Sequence, residues 1–146
     1  GMKISTKGRY ALRLMIDLAE HYESGLTALK DVSAREGISI KYLEQIVTQL
    51  SKAGLLRSTR GPQGGYRLAK APDSYTVGDI LRVTEGSLAP VACLEDEPNL
   101  CERQTNCVTL EVWQGLYQVI ETYIDHIRLN DLVERKREKA AYNYSI

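Results

Sequence analysis

Apolar residues recur every three or four positions near the start of the chain. Within residues 5–23 they stand at Ala11, Leu14, Met15, Leu18, Ala19 and Tyr22. This spacing puts them on one side of a helix, because an α-helix completes a turn every 3.6 residues or so, about four positions. The sequence therefore predicts an amphipathic helix over residues 5–23 with one face in a core.

Two shorter helices are predicted next, separated by a glycine. The first covers residues 28–36, with Thr27 as its cap and Gly37 at its end, and the second covers residues 40–54 with Ser39 as its N-cap. The second has an apolar stripe at Leu43, Ile46, Val47 and Leu50 and a polar face at Lys41, Tyr42, Glu44, Gln45, Thr48 and Gln49. This pattern is typical of a helix-turn-helix, although an ordinary helical hairpin fits these residues almost as well.

A β-hairpin is predicted after these helices. Short β-like runs at residues 55–59 and 65–69 flank a glycine-rich turn that begins at Arg60. A helix-turn-helix followed by a hairpin with a cationic tip is a winged helix, whose tip can contact phosphates or the minor groove. A nucleotide-binding loop is the alternative, but the turn lacks the P-loop pattern and joins two strands.

The second half of the chain predicts one short and one long helix. Residues 76–83 begin a fourth helix that leads to Gly86. Further on, a heptad seam is formed by Trp113, Leu116, Ile120, Tyr123 and Ile127 and widened by Val112, Val119 and Ile124. Such a seam favours pairing with a second copy of the chain, with a plain core helix as the alternative. Residues 131–146 are expected to be helical at first and then frayed, with their charges in water.

Charge is divided unevenly along the 146 residues. Residues 1–70 carry 12 Lys and Arg against 6 Asp and Glu, whereas residues 71–146 carry 7 against 13. The basic half has the balance of a surface that meets phosphates. No apolar run approaches the ~20 residues that span a bilayer, and the N-terminal residues lack the apolar core of a signal peptide. A cytoplasmic protein without a membrane partner is therefore expected.

All three cysteines lie in one stretch. Cys93, Cys101 and Cys107 share this stretch with Pro90 and Pro98, which disfavour regular structure there. An odd number of thiols in a reducing compartment favours metal binding or redox chemistry over a disulfide framework. The composition thus suggests three units: a winged helix in residues 1–86, a cysteine loop in residues 87–107, and a dimerisation helix with a tail in residues 108–146.

The cysteines leave two further interpretations open. A structural zinc site is one, since thiolates and carboxylates both suit zinc. A redox-active thiol protein is the other, although neither a C-x-x-C pair nor a nucleophile–base pair supports it.

Three segments and the three cysteines together resemble one protein family. The segments are MKISTKGRYALRLMIDLA, GISIKYLEQIVTQLSKAGLL and RGPQGGYRLAK. They are similar to the IscR-like family of bacterial winged-helix transcriptional regulators (Rrf-type, related to the NsrR-type and CymR-type regulators), from Met2 to about Ile127. The resemblance implies a mostly α fold: a winged helix-turn-helix with a short β-hairpin wing and a long C-terminal dimerisation helix.

The resemblance also implies a function without enzyme activity. Members are homodimers that bind palindrome-like operators in double-stranded DNA. Many hold an iron–sulfur cluster, and here 2Fe–2S is expected in preference to 4Fe–4S. The family includes sensors of iron–sulfur status, of nitric oxide and of cysteine supply.

Site residues follow from the same resemblance. The DNA contacts it implies are Lys3, Arg9 and Tyr10 at the N-terminal end, Ser39, Lys41, Tyr42, Glu44 and Gln45 on the recognition helix, and Arg60, Gly61 and Gln63 in the wing. The cluster ligands it implies are Cys93, Cys101 and Cys107. Glu44 is expected to tune which operators are accepted, because phosphates repel a carboxylate and cytosine can donate to it.

The fourth ligand departs from the family pattern. Leu110 stands where some members have a histidine, and Arg9 stands where nitric-oxide-sensing members have a carboxylate from the partner. A fourth donor is therefore expected from an acid of the loop, from Glu44 or Glu111, or from an exogenous thiol or water. His21 and His126 are expected to be surface residues of their helices and not ligands.

Overall fold

Six helices and one β-hairpin make up the chain in this computed structural model, which describes residues 3–95 and 108–145. The helices are α1 (Thr6–Glu20), α2 (Leu29–Glu36), α3 (Ile40–Lys52), α4 (Val77–Glu85), α5 (Val108–Asp125) and α6 (Leu129–Ser145), and the strands are β1 (Leu56–Thr59) and β2 (Gly65–Leu68). Short 3₁₀ turns lie at Tyr22–Ser24, Pro72–Ser74 and Ala92–Leu94. The predicted mostly α, winged-helix fold is confirmed.

Helix α1 lies at the centre of the main core. Its N-cap is Ser5, whose hydroxyl accepts a hydrogen bond from the Gly8 amide at 3.0 Å. The apolar face predicted from the sequence is buried, with Leu14 and Met15 fully enclosed. The helix ends at Glu20, three residues earlier than predicted, and Tyr22 belongs to the following 3₁₀ turn.

The start of α2 differs from the prediction. Its N-cap is Ala28, without a side-chain capping bond, so the assignment of Thr27 as the cap was wrong. The backbone of Thr27 instead pairs with Tyr66 of β2 through two hydrogen bonds of 2.8 Å. Gly37 ends α2 in the left-handed conformation (φ 66°), and Ser39 caps α3, both as predicted.

The wing is an antiparallel hairpin that runs from Leu56 paired with Leu68 to Thr59 paired with Gly65. Gly65 lies against Thr27, where a β-carbon would come within 2.5 Å of the Thr27 carbonyl oxygen. Only glycine allows this approach, at a φ of 155° that favours glycine as well. The wing is therefore held to the segment before α2 on one side while its tip is exposed.

The C-terminal segment consists of two helices. The chain turns between α5 and α6, and α6 packs back on the core with Leu129 and Val133 buried. The ammonium group of Lys136 contacts a Glu20 carboxylate oxygen of α1 at 2.6 Å. The expectation of a frayed tail whose charges only face water was therefore wrong for the first part of α6, although its later turns are exposed.

Helix α5 is attached to the rest of the chain near its C-terminal end. Ile124 packs with Val77 and Leu81 of α4 in a second, smaller core. Tyr123, which the heptad pattern placed in the seam, is exposed. Ile124 belongs to the predicted, widened seam, and the seam residues Ile120 and Ile127 also pack against this core. At this end of α5 the seam therefore faces α4 of the same chain, and Tyr123 departs from the prediction.

Candidate nucleic-acid interface and cysteine loop

Helix α3 buries its apolar side in the core and exposes its polar face. Leu43, Ile46, Val47 and Leu50 are completely buried. Ser39 starts the helix by accepting a hydrogen bond from the Tyr42 amide at 3.1 Å. Lys41, Glu44 and Gln45 are exposed. A rigid helix therefore displays three of the five residues predicted for base or phosphate contact, with Ser39 exposed at its start.

The fifth residue, Tyr42, joins α3 to α1. It is half-buried, and its ring meets that of Tyr10 edge to face, with centroids 5.6 Å apart. The Arg13 guanidinium lies 5.4 Å from the centroid of the Tyr10 ring. The structure thus brings two predicted DNA-contact residues of different elements together, although part of each ring is used for packing.

Gln49 is the residue of the predicted polar face that the structure turns inward. It is half-buried, and its amide nitrogen donates to the Val83 carbonyl oxygen of α4 at 2.8 Å. Its expected outward position was wrong. A helical pattern alone places this residue at the border of the two faces, and only the packing of α4 decides its direction.

Lys3, which precedes α1, and Arg9 in the first turns of α1 are both exposed. The Arg9 guanidinium donates to the Thr6 hydroxyl at 3.0 Å, which keeps it near the start of the helix. Glu85 of α4 fixes the preceding residue: its carboxylate accepts from the Ser5 amide at 2.5 Å and from the Ser5 hydroxyl at 2.7 Å. Sequence reasoning missed Glu85, because a contact across 80 residues leaves no local signal.

Glu85 is held in its charged form by these bonds. Partial burial pushes its pKa up, but the Ser5 backbone and side-chain hydrogen bonds outweigh that effect and lower the pKa below its usual value. An ionised carboxylate therefore anchors the first turn of α1.

Arg60, Gly61 and Gln63 at the wing tip are all exposed, as their predicted contact with DNA requires. Gly61 has a φ of 105°, which only glycine adopts readily, and its carbonyl accepts from the Gly64 amide at 2.9 Å. A β-carbon at Gly64 would overlap the Thr59 carbonyl oxygen. The glycines are thus needed for the turn itself as well as for any close approach to DNA.

The cysteine loop leaves α4 at Gly86 and enters α5 at Val108. Cys93 lies in the 3₁₀ turn Ala92–Leu94, whereas Cys101 and Cys107 lie outside the described residues. Within residues 3–95 and 108–145 no cluster of three His, Cys, Asp or Glu could hold a metal. The predicted ligand set is therefore not tested by the geometry.

The positions considered for a fourth ligand differ in their exposure to solvent. Leu110, at the family's histidine position, is buried in α5, while Glu111 and Glu44 are exposed. Both histidines are engaged by their own helices: Nδ1 of His21 lies 2.8 Å from the Asp17 carbonyl oxygen, and Nδ1 of His126 lies 2.6 Å from that of Thr122.

An ion pair connects the helices on the two sides of the loop. The Arg82 guanidinium of α4 donates to both carboxylate oxygens of Asp125 in α5, at 2.8 and 2.9 Å. Hydrogen bonding from Arg82 lowers the pKa of Asp125, and the same bond raises the pKa of Arg82. Gly78 of α4 leaves room for this ion pair, because a β-carbon there would overlap an Asp125 carboxylate oxygen.

A helix-turn-helix with an exposed polar face, followed by a glycine-rich cationic wing, defines a winged-helix DNA-binding protein. Residues 4–135 match the Rrf2 family, described as "Iron-dependent Transcriptional regulator". The chain belongs to the Rrf2 family of transcriptional regulators.

Two kinds of relative are equally similar in sequence. IscR of Aliivibrio salmonicida is 42% identical over 132 residues, which cover 90% of this chain and 77% of that protein. CymR of Bacillus subtilis is 42% identical over 146 residues, which cover 99% of this chain and all of that protein. Both are named as HTH-type transcriptional regulators and neither as an enzyme, as the sequence predicts.

Solved structures repeat this pairing. The structure of B. subtilis CymR, described as the global cysteine regulator, has a TM-score of 0.76 at 42% identity and covers 92% of this chain and 98% of its own. The structure of T. potens IscR also has a TM-score of 0.76 at 42% identity, with 95% and 91% covered. The predicted DNA-binding regulator is confirmed at this level. None of the helices in the described residues is long and apolar enough to cross a bilayer.

Proposed function

We propose that this chain is a homodimeric regulator whose binding to operator DNA responds to an iron–sulfur cluster on Cys93, Cys101 and Cys107. The observation that carries the DNA-binding part is the exposed polar face of α3, held beside the start of α1 by Tyr10 and Tyr42. On this proposal, Gln45 contacts base edges, and Lys3, Arg9 and Arg60 contact phosphates or the minor groove.

Three features support the cluster. Thiolates are the donors that iron–sulfur clusters use, and the family carries an iron-dependent description. The cysteines lie between α4 and α5, and the C-terminal end of α5 is linked to α4 by Asp125 and Arg82, so the loop is connected to the DNA-binding unit through α4. When bound, the cluster would supply a redox- and ligand-sensitive group there, with 2Fe–2S favoured over 4Fe–4S.

The fourth donor would not be a cysteine, since the chain has only three. Leu110 cannot ligate a metal, and Arg9 is a cation. A weaker donor, such as Glu111 or an exogenous group, would complete the site. Replacing one thiolate by a less donating ligand raises the reduction potential of a cluster and makes it more labile.

A second candidate is a regulator that responds to cysteine supply without a cluster. The match to B. subtilis CymR favours it, because that match spans the full length of both proteins and its structure is described as that of a cysteine regulator. The same winged helix and the same dimer would serve both functions. The two candidates differ in what occupies the loop cysteines.

Anaerobic purification distinguishes the candidates. The cluster proposal predicts visible absorption together with stoichiometric iron and sulfide, both lost in a Cys101→Ala variant that stays a folded dimer. Colourless protein with bound zinc would indicate a structural zinc site, and colourless metal-free protein that still selects a DNA sequence would favour the cysteine regulator. Full iron and sulfide in Cys101→Ala would remove that residue from the ligand set.

The DNA-binding part is tested separately. The parent protein is offered a random-sequence pool of duplexes, and the bound fraction is sequenced. We expect a palindrome-like site with two half-sites, as a symmetric dimer requires. Failure to enrich any sequence, with and without iron, would contradict the proposed function.

A further inference from the structure

The last turn of α4 contacts both elements that carry the predicted DNA contacts. On one side, the Glu85 carboxylate accepts two hydrogen bonds from Ser5, the N-cap of α1. On the other side, the Val83 carbonyl accepts from the Gln49 side chain of α3 at 2.8 Å. Two residues apart on one turn, these contacts set the position of α1 relative to α3.

The Glu85 contact is closely fitted. Both carboxylate oxygens are used, and Ser5 in turn accepts from the Gly8 amide. A β-carbon on Gly8 would lie 2.8 Å from Glu85 Oε2, so glycine makes room for the carboxylate. An anion close to a surface that meets phosphates opposes DNA binding by repulsion. Lys7 attracts the Glu85 carboxylate, and the two hydrogen bonds from Ser5 hold it in place against this repulsion.

The Gln49 contact carries a cost of its own. The Val83 carbonyl has no amide partner within α4, because the helix ends at Glu85. The Gln49 side-chain nitrogen donates to this carbonyl instead. The Gln49 oxygen Oε1 is buried without a hydrogen-bond partner among the described residues. An apolar side chain of the same length would avoid that cost. Among the described residues, the contact to α4 is what accounts for an amide at this position.

We propose that Glu85 and Gln49 are positioning residues for operator binding. Glu85 holds the first turn of α1, and Gln49 holds α3, against the same turn of α4, so that phosphate contacts and base contacts keep a fixed spacing. Neither residue touches DNA in this proposal. It rests on the proposed DNA-binding function and adds to it the parts of the fold that align the interface.

The test uses full-length protein and the duplex that the parent selects from the random pool, with a scrambled duplex beside it. Glu85→Ala, which loses two hydrogen bonds, and Gln49→Met, which loses one, are each expected to weaken operator binding by roughly 3- to 10-fold. Glu23→Ala is the matched control: it removes the same charge from an exposed side chain, and its operator affinity should be unchanged or slightly tighter.

The double variant gives the sharper result. Because either break releases the spacing between α1 and α3, the second break should add little, and the two losses should not multiply. If the two substitutions caused independent structural defects, their fold-losses in operator affinity would multiply. Thermal unfolding of each variant is recorded as well. Gln49→Met should be about as stable as the parent, because removing a buried unpaired oxygen offsets the lost hydrogen bond.

Gly8→Ala provides a variant that keeps every charge. Alanine favours the helix more than glycine does, yet its β-carbon displaces the Glu85 carboxylate. We expect a folded protein with weaker operator binding. Operator affinity unchanged in both Gly8→Ala and Glu85→Ala, or a double variant whose losses multiply, would overturn the proposal while leaving DNA binding intact. A parent protein that selects no sequence would instead overturn the proposed function.

Discussion

Helices α1 and α5 have similar amphipathic patterns, and the chain covers only one of them. Helix α1 buries seven of its 15 residues, whereas α5 buries two of 18. On α5, Val108, Val112 and Val119 are 79, 59 and 66% exposed. Periodicity therefore shows that a helix has an apolar face, but it does not show which chain covers that face.

The contacts of α5 explain why its middle is left open. Its C-terminal end is fixed to α4 by Ile124 and by the pair of Asp125 with Arg82. Its N-terminal end follows the cysteine loop. The valines in between meet water in one chain, and a second copy of the same helix has the matching apolar surface. This supports the proposed homodimer and gives the comparison a direct test.

The largest expected effect comes from breaking the covered helix. Leu14→Ala removes a fully buried side chain from α1 and should lower the free energy of unfolding by about 2–5 kcal/mol. Urea denaturation followed by circular dichroism measures the loss. The matched change on the open helix, Val112→Ala, should cost less than about 0.5 kcal/mol in dilute protein. Equal losses in both variants under dilute conditions would mean that α5 is covered within one chain.

The second prediction concerns the surface that a partner would cover. Val119→Asp places a carboxylate in the proposed interface and should raise the dimer dissociation constant by on the order of 100-fold, because the charge loses its water there. Sedimentation equilibrium over a range of concentrations measures this change. Gln118→Asp, one position away and also exposed, adds the same charge outside the valine stripe. Identical association of the two variants would contradict this assignment of the interface.

Much of the winged-helix unit, residues 3–86, could be predicted because its signals are local. Ser39 as a cap, Gly37 as a helix end and the stripe of Leu43 to Leu50 all act within one or two turns. Thr27 was mistaken for a cap because its true partner, Tyr66, lies in a strand far along the chain. Contacts at long separation, which include those of Gln49 and Glu85, leave no periodic trace.

The C-terminal part was harder for a related reason. The charged run of α6 resembles a solvated tail, although Leu129 and Val133 in its first turns are buried in the core. The cysteine spacing suggests a ligand set through the family resemblance, but Cys101 and Cys107 lie outside the described residues. The fold of the DNA-binding unit was therefore predictable to a greater extent than the chemistry of the loop.

The third prediction separates defects in the reading surface from defects in the dimer. Gln45→Ala should cost ~1–3 kcal/mol of discrimination at one base pair and leave the salt dependence unchanged. Arg60→Ala should weaken binding to nearly all sequences and reduce the salt slope by about one for each phosphate that the variant no longer neutralises. Titration of operator and scrambled duplexes at several salt concentrations measures both effects.

Two outcomes bear on the assignment of α3. Raising the protein concentration should rescue Val119→Asp in such titrations but should not restore the discrimination that Gln45→Ala removes. Glu44→Ala should change the affinity in the opposite direction from Gln45→Ala: it removes a charge that phosphates repel, so it should bind sequences that the parent rejects. If Gln45→Ala weakens both duplexes equally, α3 is not the helix that reads the bases.

The smallest expected effect concerns the ion pair that joins α4 of the winged-helix unit to α5. Asp125→Asn should lower the free energy of unfolding by about 0.5–1 kcal/mol, since the pair is bidentate but both side chains are more than a third exposed. Glu121 lies 3.6 Å from the Arg82 guanidinium and should retain part of the attraction. Differential scanning calorimetry across pH measures the change.

The sign of the pH dependence follows from the lowered pKa of Asp125, which Arg82 causes by hydrogen bonding. A carboxyl group whose pKa is lower in the folded state than in the unfolded state stabilises the fold at pH values above the unfolded pKa, which is about 3.9 for aspartate. That contribution is lost as the pH falls through the pKa of the folded state. The parent should therefore lose its advantage over Asp125→Asn as the pH drops below ~4. Gly78→Ala should lack the stability that the pair contributes even at neutral pH, because its β-carbon would overlap the Asp125 carboxylate oxygen. A difference between parent and Asp125→Asn that is constant down to pH ~2 would show that the pair does not link the two regions.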